Sequence, residues 1–66
     1  MTKTEMQNVC ALTFNDLNTE LMDMELNEVE QLLRYAKVND VADFKLKRIH
    51  QRYSRLKSQA ERNELF

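Results

Sequence analysis

The chemically reactive side chains of this sequence begin with one cysteine and one histidine. Cys10 stands in an apolar row at helical spacing. Nothing basic lies within a turn of it in the sequence to favour the thiolate, so it reads as a buried, inert thiol. The other use for such a residue is a disulfide between chains or a reactive thiol. His50 flanks the apolar position Ile49. Lys47 lies three residues before it and Ser54 four after, and neither completes a metal-ligand set. A general base would also need a nucleophile and an orienting partner, and neither is at hand. The carboxylates fall on exposed helix positions. Glu30 with Arg34, and Asp43 with Lys47, are favourable pairs four residues apart. A phosphate-cradling loop is excluded because the chain has no glycine. The expectation is a protein that is no enzyme, with no cofactor, no metal and no small-molecule substrate.

The sharper chemistry is ionic. Phe44 to Lys57, FKLKRIHQRYSRLK, holds six Lys or Arg and no acid, in a chain of formal net charge −1. Residues 1–33 carry one lysine against seven acids, and residues 34–66 carry nine bases against four acids. On a helical heptad, Lys45 and Arg52 share one position and Arg48, Arg55 and Arg62 another, forming a basic stripe beside the apolar seam. Asp16, Glu20 and Asp23 form a matching acidic stripe. If the first and last helices pack antiparallel, the stripes meet, within one chain or across a dimer. The alternative is a face that tracks a phosphate backbone through Lys45, Arg48, Arg52 and Arg55. The acidic pI of about 5.7 weighs against that use. So do Phe44 and Tyr53, which read more easily as core than as base-stacking platforms. A helix-turn-helix around Val38–Asp40 is weaker again, since its turn lacks glycine and its last helix is basic along most of its length.

Helices are what must hold these groups. Gly 0 and Pro 0 argue against tight hairpins and sheets. Abundant Leu, Met, Glu, Lys, Arg and Gln argues for helix nearly throughout. The mean hydropathy of −0.67 would suit a disordered tail, but 42% hydrophobic residues at regular spacing would not. Cys10, Phe14, Leu17, Leu21 and Met24 make one seam, predicting a helix over about 4–24 capped by Thr2 or Thr4. Leu26, Val29, Leu33 and Ala36 make a second, over about 27–37, with Asn27 as N-cap and Glu30 reaching back. Ala42, Leu46, Ile49, Tyr53, Leu56 and Ala60 make a third, over about 40–62, with Asp40 as N-cap. The last two could also run as one helix with Asn39 on its seam.

The reading is one all-α domain over residues 1–66, a small antiparallel helical hairpin or three-helix bundle. A chain this short buries only about 60% of the surface its unfolded form exposes. A lone cysteine forms no internal disulfide, so homodimerisation is the expected aid to stability. No apolar run fits a signal peptide, and none nears the ~20 residues that span a bilayer. With one unpaired thiol, the expected place is the cytoplasm, away from membranes. Leu12, Met22 and Leu26 lie off the first seam and would leave that helix apolar on more than one side. With Leu65 and Phe66 at the end of the chain, they are the candidate partner-binding residues. The function expected is that of a small non-catalytic interaction protein, a regulator, inhibitor or adaptor of a cytoplasmic protein. The runner-up is a nucleic-acid-binding regulator, and a purely structural coiled-coil assembly factor is the third class.

Overall fold

The computed structural model describes residues 1–64, and they form four helices: α1 (Lys3–Cys10), α2 (Phe14–Asp23), α3 (Leu26–Val38) and α4 (Asp43–Glu64). The segment expected as one helix over 4–24 is therefore two. Thr13 breaks it. Its backbone is extended (φ −62°, ψ 162°), and its Oγ1 accepts from Asp16 N at 3.3 Å, satisfying one of the donors that a helix start leaves unpaired. Thr2 caps α1 in the same way, accepting from Glu5 N at 3.1 Å.

Two further boundaries differ from expectation. The N-cap of α3 is Glu25, not Asn27, and Glu25 N donates to Glu28 Oε1 at 3.3 Å. Asn27 and Glu30 lie inside the helix, where Asn27 Oδ1 accepts from Gln31 Nε2 and Glu30 pairs with Arg34 at 2.8 Å. Asp40 does not cap α4 but terminates α3. It holds φ 53°, the left-handed conformation that usually falls to glycine after a helix. Val41 N can then turn back to Ala36 O at 3.2 Å, and Asn39 Nδ2 donates to Tyr35 O at 2.9 Å. This turn separates α3 from α4 and rules out one helix running through both.

The buried core is Leu17, Leu21, Met24, Val29, Leu32, Leu33, Ala36 and Ile49, half of it from α3. Met6 and Val9 of α1 pack against it, as do Leu46, Tyr53 and Leu56 of α4. No buried polar or charged residue interrupts it among the described residues. The most extensive helix contact is α3 against α4, and α2 lies along the first half of α4. Phe14 meets Phe44, Asn18 meets Arg48 and Leu21 meets Arg52, so α2 and α4 run parallel. Within the chain, the antiparallel packing that would have matched the acidic stripe to the basic one is absent. At ~1.5 Å per residue α4 is about 33 Å long and α3 about 20 Å, so α4 runs on past the bundle. Lys57, Ser58, Gln59, Glu61 and Arg62 are exposed on that extension.

Candidate interaction surface

Three of the five cations of the basic stripe are engaged by the protein's own backbone and amides. Lys45 Nζ donates to Cys10 O, the last residue of α1, at 2.8 Å. Arg52 Nε donates to Leu21 O, in the last turn of α2, at 3.2 Å. Arg48 Nε donates to Asn18 Oδ1. All three cations are half-buried. Neither α1 nor α2 has a base in its own last turn, and there is no glycine to close either helix. α4 therefore supplies the positive charge that the negative ends of these helices favour. Asp16, Glu20 and Asp23 stay exposed. Among the described residues, Glu30–Arg34 is the only ion pair within 4 Å, so the expected Asp43–Lys47 pair is also absent. Arg55, the fourth residue of the candidate phosphate face, is exposed, as is Lys47.

The parallel packing creates a feature that periodicity did not suggest. Phe14 and Phe44, both at helix starts, bring their rings to 5.8 Å between centroids, tilted by 52°. Yet they stay 41% and 56% exposed, outside the closed core. Both had been expected as core residues. Lys47, Arg48 and Gln51 complete the lining of a shallow groove beside them, which no carboxylate lines. Tilted aromatic pairs hold a defined geometry, and aromatic side chains are enriched at the centres of protein interfaces.

The expected partner residues are scattered. Met22 is 59% exposed on α2, and Leu26 is half-buried at the start of α3. Leu12 is half-buried in the α1–α2 connection and lines a cleft of about 420 Å³. Val9 and Met24 add to its apolar lining, and Glu5, Glu20, Asp23 and Glu28 carry its charge. Leu65 and Phe66 lie outside the described residues.

Cys10 is half-buried and unpaired. Burial pushes its thiol above the ordinary range, and the Lys45 ammonium pulls weakly the other way. That cation comes from 35 residues along the chain, so local sequence did not reveal it. His50 is exposed beside Leu33, Lys37 and Leu46. Among the described residues no three His, Cys, Asp or Glu side chains converge as metal ligands. No described helix is long and apolar enough to cross a membrane. The chain matches no family model, and neither the curated proteins nor the solved structures gave a match.

Proposed function

We propose that this protein is a small non-catalytic interaction protein, a regulator, inhibitor or adaptor, that binds a protein surface through Phe14 and Phe44. The observation that carries this reading is the pair itself: two aromatic rings from different helices, held together in solvent beside a core that is already filled. Aromatic side chains, Phe included, and Arg are enriched in the buried centres of protein interfaces. Nucleic-acid binding is the second reading, supported by Lys47 next to an exposed ring and by exposed Arg55. It is the weaker one because Lys45, Arg48 and Arg52 already donate within the chain.

The test places a photo-crosslinking phenylalanine at position 44 and irradiates a lysate of the native cells, with and without nuclease. A discrete protein adduct that survives nuclease, and is missing when the same group sits at exposed Glu61, is the expected result. An adduct to nucleic acid alone would reverse the ranking of the two readings.

A further inference from the structure

We infer that one occupant of the Phe14–Phe44 face is a second copy of this chain, received by the cleft between α1, α2 and α3. The inference rests on the reading of that face as an interface and adds its mate. The two surfaces are complementary. The face has an aromatic centre flanked by Lys47 and Arg48, with no acid lining it. The cleft has an apolar lining of Val9, Leu12 and Met24, with no Lys or Arg among its side chains. Glu5, Glu20, Asp23 and Glu28 surround that lining. The Met1 amino group beside them is held by Gln31 Oε1 at 2.9 Å. The cleft is open to solvent and has a volume of about 420 Å³. Its carboxylates have no cation from the same chain within 4 Å, so a neighbour's exposed Lys47 would meet them uncompensated.

The arrangement of the two surfaces fixes the kind of assembly. Phe14 and Asp23 are nine residues apart on α2, roughly half a turn out of phase at about 3.6 residues per turn. Face and cleft thus look away from one another, and each copy offers both. Contact is head-to-tail and extends to further copies, without closing at two. It is also weak. The two rings are already about half covered, and together they fall well short of the roughly 800 Å² per partner of a stable interface. Opposed charges make the contact sensitive to salt.

Sedimentation velocity on the full chain tests this, from ~10 µM to ~1 mM and at ~50 mM and ~500 mM salt. Wild type should form a ladder of species that grows with concentration and shrinks in high salt. Phe44→Ser removes the face, and Glu20→Lys with Asp23→Lys reverses the cleft. These positions are exposed, and circular dichroism checks that both variants stay helical. Each variant alone should sediment as a monomer. Mixed in equal amounts they should form a species that stops at two copies, because one keeps the cleft and the other the face. A wild type that is monomeric at every concentration would overturn this inference and leave a crosslink from position 44 to another protein standing. Variants that associate as wild type does, or a mixture no larger than its parts, would overturn it too. Failure of every crosslink at position 44 would remove the reading of the face itself.

Discussion

Replacing Lys45 with Met tests whether the basic stripe is structural. Methionine keeps much of the apolar stem and removes the ammonium, which lies 2.8 Å from the Cys10 carbonyl at the end of α1. A hydrogen bond to a charged group contributes about 1.5–3 kcal/mol, and a cation at a helix C-terminus about 0.3–1 kcal/mol. Lys45 is only half-buried, so water takes up part of the loss and a destabilisation of about 1–1.5 kcal/mol is expected. A domain of this size holds only about 3–10 kcal/mol in total. At roughly 4–8 °C per kcal/mol the variant should melt about 4–12 °C lower. Thermal melts followed by far-ultraviolet circular dichroism read this directly. Arg55→Met, at an exposed position of the same helix, is the control and should stay within about 0.5 kcal/mol of wild type. If Lys45→Met melts with wild type, the bond to Cys10 does not hold α1. Lys45 then returns to the cations free for an outside ligand.

Two other outcomes follow from single residues. Asp40→Gly should raise stability by about 0.5–1 kcal/mol in urea unfolding, because Asp40 holds φ 53° and glycine does so without the side-chain clash. Asp40→Val should lower it, and equal stability of the two variants would deny that this turn is strained. The Cys10 thiol is pushed up by burial, so iodoacetamide should label it more slowly in the native chain than in urea at neutral pH. Because the folded thiol keeps its proton to higher pH, stability should be level below the ordinary thiol range and fall as pH rises through it. In Lys45→Met the native labelling should slow further, since the opposing cation is gone. Labelling at equal rates in native and unfolded chains would refute the burial argument.

The sequence showed much of the core because burial has a period. Leu17, Leu21, Met24, Val29, Leu33, Ala36 and Ile49 were on the expected seams and are buried. Leu32 was expected on a seam only if α3 and α4 were continuous, and it is buried without that. The first seam misled where it crossed a helix break. Its spacing continues through Ala11–Thr13 by coincidence, so Cys10 and Phe14 were placed in one helix although the chain turns between them. The signal against this was present in Thr13–Phe14–Asn15–Asp16, a cap followed three residues later by an acid in the first turn. Phe44 could also have been read correctly. On the heptad of the last seam it falls at f, the position farthest from the core, and its exposure follows from that. What no local pattern contained was the direction of α2 against α4. That depends on two chain reversals, and it decides that the basic stripe meets carbonyls and an amide in place of acids.

The donation from α4 to the ends of α1 and α2 bears on how the chain acquires its structure during synthesis. With 8 and 10 residues, those helices are shorter than the ~12–15 that hold together alone in water. The cations that complete them stand 35 and 31 residues downstream. An emerging chain therefore lacks both of these bonds until Arg52 has left the ribosome. α1 and α2 should then exchange their amide hydrogens at the rate set by loss of α4.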